Sequence, residues 1–275
     1  GATTGLLNNT APFTSTASVS ANSNTVQVFA GEQAVLPAET MSGAALANYD
    51  VVLACTGGSL SGTDGKVANT LTVLQADQGN PITCTYTNVR RSTTLQLAKT
   101  WLNGYPGDSI IIAATGLTPL NSVAAGGASQ TDVGTAQPVF AGDVLTLTES
   151  VTSITSNLYD TSLSCTNTAG LAPGGTPTQG VLTIGPGDSS PIVCTYVNQR
   201  KNAQLVIRKV WGGASPGATV SIAPTTGLAN NTPTLVSSFP GPDQTAPVVA
   251  YAFETATLGS ETFTSGNAAD YSRSV

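Results

Sequence analysis

The sequence contains an internal repeat with a period of about 110 residues. The segment PITCTYTNVR at 81–90 returns at 191–200 as PIVCTYVNQR, and the segments 95–101 and 205–211 match in the same register. A third copy begins near Lys209 and ends near Tyr271. Repeats of this kind are typical of tandem domains, in which each unit has its own core and contacts only its neighbours.

The repeat divides the chain into three parts. We expect one complete unit at residues 91–200, preceded at 1–90 by the later strands of one unit and followed at 201–275 by the earlier strands of another. The chain is therefore expected to be a window from a longer tandem array, with neighbouring repeats of the same chain as its partners.

Within the complete unit, the apolar runs are short, β-branched and alternate with polar residues. They occur at 95–101, 109–113, 143–149, 180–184 and 191–198, and clusters of Gly, Pro, Asn and Ser separate them. This spacing predicts an all-β fold of tandem, Ig-like, antiparallel β-sandwich repeats. No segment combines a 3.6-residue apolar period with helix caps, so we expect little or no helix.

The composition argues against several classes of function. The chain has no histidine, which removes Ser-His-Asp and Cys-His nucleophile systems and His-ligated zinc or haem. A net charge of −6 with nine Lys and Arg residues provides no basic surface for nucleic acid or an anionic membrane. No apolar run is long enough to span a bilayer. We therefore expect no cofactor, no metal and no enzyme with a dissociable substrate.

Four cysteines occur two per unit, each alone on a predicted strand and separated by the same distance in both units. No Cys-x-x-Cys motif or second type of ligand accompanies them. A disulfide in each unit, Cys55 with Cys84 and Cys165 with Cys194, is therefore favoured over a metal site, and buried free thiols are the alternative. Disulfides would imply an oxidising compartment.

Three polar residues stand at the ends of strand faces that are otherwise apolar. Residues two apart share a face of a strand, so Lys99, Glu149 and Asn198 are each predicted to project into the interior. A buried ion pair, or a lysine reaching to the rim of the sandwich, is the conventional explanation. The same residue types, however, recur in the partial units, as Glu39 and Asn88 in the first and Lys209 and Glu254 in the last.

The order of these residues resembles that of a known family. A lysine followed two residues later by tryptophan (Lys99 and Trp101), a Glu closing a middle strand, and Tyr-Val-Asn at 196–198 are similar to the collagen-adhesin B-type, or prealbumin-like, repeats of bacterial surface proteins and SpaA-like pilins. The resemblance implies a prealbumin-like sandwich. It also implies that Lys99 and Asn198 join in a spontaneous isopeptide bond, with Glu149 as the catalyst.

Burial makes this chemistry reasonable. An ammonium group cannot attack a carbonyl, but desolvation lowers the pKa of a lysine and frees its lone pair. A protonated Glu149 would donate a hydrogen bond to the amide oxygen of Asn198 and then shuttle protons as ammonia leaves. Such a reaction occurs once per molecule and is not enzymatic turnover.

We therefore expect a structural stalk segment of an extracellular bacterial adhesin or surface filament, rigidified by one isopeptide bond and one disulfide per repeat. Two other classes stay open. The first is a module that binds carbohydrate or a host protein through its loops or the Gly-rich stretch 124–131, and the second is a self-assembling sheath or lattice. Head-to-tail association, in which Lys209 of one chain joins Asn88 of the next, is less favoured.

Overall fold

The computed structural model of this chain is almost entirely β-structure. It describes residues 1–16, 19–43, 45–152, 156–266 and 268–273. The described residues form 22 β-strands and four 3₁₀-helices of one turn each, at Leu46–Asn48, Gln75–Asp77, Ser156–Leu158 and Ala268–Asp270. The predictions of an all-β fold and of little helix are confirmed.

The N-terminal part contains five strands. They are β1 (Gln33–Leu36), β2 (Tyr49–Thr56), β3 (Ser59–Leu60), β4 (Asn69–Thr72) and β5 (Thr83–Arg90). Strands β1, β4 and β3 form one sheet, and β2 pairs with β5 in another. A small apolar core lies between them, because alternate residues of β1, β2 and β4 point to the same side, namely Ala34, Leu36, Leu53 and Leu71.

The complete unit contains ten strands. They are β6 (Ser92–Leu102), β7 (Ser109–Ala114), β8 (Leu120–Val123), β9 (Ser129–Val133), β10 (Gln137–Phe140), β11 (Val144–Val151), β12 (Tyr159–Thr166), β13 (Leu171–Pro173), β14 (Gln179–Thr183) and β15 (Ile192–Arg200). One sheet has the order β10-β6-β15-β12, with β9 also paired to β6, and the other has the order β13-β14-β11-β7-β8. The apolar faces of the two sheets meet in one core, as expected for a sandwich.

Strands β6 and β15 lie side by side and run parallel, with Lys99 opposite Tyr196 and Trp101 opposite Asn198. Every other strand pair in the described ranges is antiparallel. The predicted sandwich of antiparallel strands therefore contains one parallel pair, at its first and last strands. The first and last strands of the unit are neighbours, so the chain leaves the unit in the direction in which it entered.

The C-terminal part contains seven strands. They are β16 (Asn202–Leu205), β17 (Arg208–Lys209), β18 (Thr219–Ile222), β19 (Leu235–Ser238), β20 (Asp243–Gln244), β21 (Val248–Tyr251) and β22 (Glu261–Ser265). Strand β16 pairs with β21, β17 with β20, and β18 with both β19 and β22. No strand pairing among the described residues crosses the predicted boundaries at 90/91 and 200/201, and the boundaries themselves stay a prediction.

Candidate functional site

The side chains of Lys99, Glu149 and Asn198 meet inside the complete unit. Lys99 and Asn198 come from the neighbouring strands β6 and β15, and Glu149 comes from β11 in the facing sheet. Lys99 Nζ donates to Glu149 Oε1 at 2.7 Å, and Asn198 Nδ2 donates to the same oxygen at 2.8 Å. The three residues are 0 %, 7 % and 2 % exposed, so the structure brings the predicted residues together in the interior.

These residues are buried because of strand alternation. In β6, Leu95 and Leu97 lie on the same buried face as Lys99. In β15, Tyr196 lies on the same buried face as Asn198. In β11, Leu147 lies on the same buried face as Glu149. Each polar residue is therefore carried into the core by the apolar residues that share its face.

Burial controls the electrostatics of the site. Desolvation lowers the pKa of Lys99 to about 8, although the neighbouring Glu149 opposes this shift. Two oxygens, Glu149 Oε2 and Asn198 Oδ1, are buried without a hydrogen-bond partner. Each of these two buried oxygens lacks a hydrogen-bond donor among the described residues, and an unpaired buried acceptor is costly.

Trp101 covers the amine from the side. Its ring centroid lies 4.6 Å from Lys99 Nζ, and its indole N–H donates to Ser122 Oγ at 2.7 Å. The hydroxyl of Ser122 donates in turn to Asp132. This chain of contacts fixes the indole over the amine and helps to keep water away from it.

The N-terminal part has an incomplete version of the site. Asn88 Nδ2 donates to Glu39 Oε1 at 2.6 Å, which places these two predicted residues together. Strand β5, which carries Asn88, pairs only with β2 among the described residues, and Asn88 is exposed. The position that β6 occupies in the complete unit therefore has no counterpart beside β5.

The C-terminal part corrects one predicted residue. Lys209 Nζ contacts Glu261 at 3.1 Å to Oε1 and 3.3 Å to Oε2, and it lies 4.7 Å from the ring centroid of Trp211. Glu254 is not its partner. The carboxylate of Glu254 accepts instead from the backbone N–H groups of Ala229 and Tyr251, which closes a turn.

The sequence contained a signal for this correction. Leu258-Gly-Ser-Glu261 corresponds to Leu36-Pro-Ala-Glu39, where the leucine is also three residues before the acid. Glu254 corresponds to Glu32, whose carboxylate likewise accepts from two backbone N–H groups, those of Leu7 and Phe29. Glu254 is therefore the counterpart of a turn residue, and Glu261, at the start of β22, is the counterpart of Glu39.

The cysteines form the two predicted disulfides. Cys55 is bonded to Cys84 at an S–S distance of 2.04 Å, and Cys165 to Cys194 at 2.00 Å. Each pair stands directly opposite in two antiparallel strands, β2 with β5 and β12 with β15. The last strand of each unit is thus tied to its antiparallel neighbour.

The described ranges contain neither a metal-binding cluster nor a membrane-spanning helix. No group of three or more His, Cys, Asp or Glu residues there could hold a metal ion. No helix in the same ranges has the length and apolar character that crossing a membrane requires.

Comparison with known proteins identifies the fold family. The model of the prealbumin-like fold domain matches residues 1–90 and 110–200, which include Glu149 and Asn198 but not Lys99. The search of curated proteins finds no match.

Two solved structures also align with the chain. Both are of a bacterial adhesin from Mobiluncus mulieris that contains intramolecular disulfide, isopeptide and ester bond cross-links. The first is 12 % identical, with a TM-score of 0.28, and the alignment covers 56 % of this chain and 61 % of that one. The second is 15 % identical, with a TM-score of 0.26 and coverage of 50 % and 54 %. The chain thus spans about three fifths of the adhesin's length, and similarity at this level transfers no function.

Proposed function

Because this chain belongs to the family of prealbumin-like fold domains, we propose that it is a stalk segment of an extracellular bacterial adhesin or surface filament, closed by an isopeptide bond between Lys99 and Asn198. The observation that carries the proposal is the shared contact of both side chains with one oxygen of Glu149 in a buried site. An ion pair alone gives no reason for a carboxamide to be buried at the same oxygen.

The proposed reaction starts with a proton transfer. Lys99 gives one proton to Glu149 across their 2.7 Å contact, which leaves a neutral amine and a neutral carboxylic acid. Burial favours this neutral pair, because both charged forms lose their hydration in the core.

Condensation then proceeds without any other reactant. Lys99 Nζ forms a bond to Cγ of Asn198, and Glu149 donates its proton to Oδ1, the oxygen on which negative charge develops. Glu149 then takes up a proton from the attacking nitrogen and delivers it to Nδ2. The Cγ–Nδ2 bond breaks, ammonia leaves, and the proton on Oδ1 returns to Glu149 as the carbonyl re-forms. The products are a secondary amide, free ammonia and the neutral acid of Glu149, which is the state that followed the first proton transfer.

The fold supplies most of the acceleration in this scheme. Strands β6 and β15 are neighbours and hold the amine and the carboxamide two register positions apart on one face, so that a bimolecular encounter becomes an intramolecular one. Glu149 approaches from the opposite sheet, which allows it to contact both groups at once. The indole of Trp101 limits access of water to the nucleophile.

A bond at this place would give the unit resistance to force. Force enters the complete unit at the start of β6 and leaves it at the end of β15, and these strands are direct neighbours. Pulling the two ends apart shears β6 along β15. A covalent link between Lys99 and Asn198 would carry that force in place of the hydrogen bonds between the strands, and reductants would not cleave it.

The disulfides support the proposed location. Disulfides form and persist in oxidising environments such as the cell surface, and both pairs of cysteines are bonded here. A protein stalk exposed to proteases also benefits from strands that cannot separate locally.

Intact mass spectrometry of the fully reduced chain tests the proposal. We expect a mass about 17 Da below that calculated from the sequence, which is the loss of one ammonia. The variant N198A should show its full calculated mass, and the matched control N88A should retain the loss. Peptide mapping should place the link between the peptides that contain Lys99 and Asn198. An unmodified mass for the folded wild-type chain would reduce the site to a buried ion pair and would contradict the proposal.

A further inference from the structure

The same four-residue turn occurs three times in the chain, with the pattern aromatic-Ala-x-acid. We refer to the N-terminal turn (Phe29–Glu32), the middle turn (Phe140–Asp143) and the C-terminal turn (Tyr251–Glu254). In each, the N–H of the acidic residue donates to the carbonyl of the aromatic residue, at 3.1, 2.9 and 3.0 Å respectively. The carboxylate accepts in return from the N–H of the aromatic residue, at 2.7, 2.9 and 2.8 Å. The three turns therefore have the same internal hydrogen bonds.

The middle turn receives the end of the last strand of the preceding part. Arg90 Nε donates to the carbonyl of Ala141 at 2.9 Å, and the N–H of Ala141 donates to the carbonyl of Arg91 at 2.9 Å. Arg90 Nη2 also contacts Asp143 Oδ1 at 2.7 Å, and its guanidinium lies 5.5 Å from the ring centroid of Phe140. Arg90 and the backbone carbonyl that follows it thus contact the carbonyl and N–H of Ala141, the carboxylate of Asp143 and the ring of Phe140.

The C-terminal turn receives the end of β15 in the same way. Arg200 Nε donates to the carbonyl of Ala252 at 2.8 Å, and the N–H of Ala252 donates to the carbonyl of Lys201 at 2.8 Å. The guanidinium of Arg200 lies 4.9 Å from the ring centroid of Tyr105 and 5.8 Å from that of Tyr251. At both junctions an arginine donates to the carbonyl of the turn alanine, and the N–H of that alanine donates to the carbonyl of the residue after the arginine. The contact between Arg90 and Asp143 has no equivalent at the C-terminal turn, where Arg200 lies against a second aromatic ring instead.

The N-terminal turn has the same shape, but its alanine is not covered by any of the described residues. Ala30 is exposed, whereas Ala141 in the middle turn is 2 % exposed; the rings of Phe29 and Phe140 are similarly exposed. No backbone hydrogen bond to Ala30 occurs within the part of the chain that the structure describes. Its sequence, Phe-Ala-Gly-Glu, differs from the middle turn only in having Glu in place of Asp.

We propose that the N-terminal turn is a docking surface for the end of the last β-strand of a preceding unit of the same kind, which presents an arginine followed by a free backbone carbonyl. The carbonyl of Ala30 and the ring of Phe29 would receive the arginine, as Ala252 and Tyr251 receive Arg200, and the N–H of Ala30 would donate to the following carbonyl. The carboxylate of Glu32 already accepts from the N–H groups of Leu7 and Phe29, so it holds the turn in shape. Arginine fits better than lysine, because its planar guanidinium can donate two N–H groups to one carbonyl while it stacks on a ring.

This inference does not depend on the isopeptide bond. It concerns the joints between units, and it predicts that one type of joint repeats along the array with one hydrogen bond from an arginine side chain to the turn alanine and one backbone hydrogen bond from that alanine. A chain without the Lys–Asn bond would retain the docking surface, and a chain with the bond could still lack it.

A single substitution in the existing chain tests whether the N-terminal turn sequence accepts an arginine. D143E converts the middle turn into Phe-Ala-Gly-Glu, and R90A removes the docked side chain. We expect hydrogen exchange of the Ala141 amide in D143E to stay within about threefold of wild type, and in R90A to become at least tenfold faster. R90K should resemble R90A. If D143E exchanges as fast as R90A, the N-terminal turn sequence does not support docking and the proposal is wrong.

A chain in which residues 1–111 are duplicated ahead of Gly1 tests the surface directly. The register follows from Thr4-Gly5, which corresponds to Thr115-Gly116, so that Gly1 follows residue 111 of the added copy. We expect the Ala30 amide of the original part to exchange at least tenfold more slowly in the extended chain, and R90A in the added copy to abolish this protection. Unchanged exchange at Ala30, with the amides of β2 and β5 still protected, would overturn the proposal.

Discussion

Lys99 and Asn198 lie on adjacent parallel strands, and their side chains donate to one and the same oxygen of a carboxylate in the facing sheet. The two residues belong to the first and the last strand of the unit, so their separation along the sequence is nearly as large as the unit itself. A contact between them therefore connects the point where the chain enters the unit with the point where it leaves.

Substitution of the buried acid should prevent condensation. In E149Q the shape of the side chain is kept, but the amide can neither accept the proton of Lys99 nor donate one to the departing nitrogen. We expect the loss of ammonia to be at least about 100-fold slower than in wild type, measured by the intact mass of the reduced chain over time.

The matched control for this variant is E39Q, which changes the equivalent acid in the incomplete N-terminal site. Its mass should show the same loss as the wild type. If E149Q condenses at the wild-type rate, Glu149 is a neighbour of the reaction and not its acid and base.

The rate of condensation should depend on pH in a defined direction. Burial lowers the pKa of Lys99 to about 8, so the proton that Lys99 shares with Glu149 leaves the site as the pH rises above that value. The reactive neutral pair needs this proton on Glu149. We therefore expect a rate that is constant just below pH 8 and decreases about tenfold for each pH unit above it.

Chain purified in denaturant and refolded at a series of pH values provides the measurement, with mass spectra recorded after acid quenching. A rate that increases through pH 8 and then levels off would show that a free amine is sufficient and that no acid takes part.

The disulfide of the complete unit should carry no force while the isopeptide bond is intact. Cys165 and Cys194 both lie between Lys99 and Asn198 in the sequence, so force applied to the chain ends bypasses them. In single-molecule pulling, the complete unit should not release residues 99–198, a length of ~350 Å when extended. Addition of a reductant should not change this result.

The variant N198A supplies the comparison for the pulling experiment. Without the link, the unit should extend, and reduction should lengthen that extension by ~100 Å, because the disulfide closes a segment with a sequence separation of 29. Release of about 250 Å from oxidised wild-type chain, the extension expected of oxidised N198A, would contradict a link between β6 and β15.

The chain should run as a monomer in denaturing electrophoresis under reducing conditions. Head-to-tail joining would need Lys209 of one chain to reach Asn88 of another, but Asn88 is exposed to water. Condensation needs a dry site, since hydration keeps the lysine protonated and the acid ionised. A ladder of covalent multimers that survives reductant and disappears in N88A would establish the self-association that we do not expect.

The composition and alternation of the sequence were sufficient to predict the strands that form the site. The runs at 95–101, 109–113, 143–149 and 191–198 fall within or within one residue of β6, β7, β11 and β15, and the run at 180–184 overlaps β14. The short strands β8, β9, β10 and β13 were not predicted, because they have three to five residues each, which is too short for a clear apolar alternation, and they receive their stability from neighbouring strands.

The sequence by itself determined the repeat, the strand faces on which Lys99, Glu149 and Asn198 lie, and the pairing of the cysteines, since each depends on a period or spacing that is visible along the chain. Only the tertiary structure decided that β6 and β15 are parallel neighbours, that Lys209 contacts Glu261 and not Glu254, and that Arg90 and Arg200 dock on turns of the next unit. These relations depend on which distant strands pair and in which register. That choice is made by burial of the whole core and not by any local stretch of sequence.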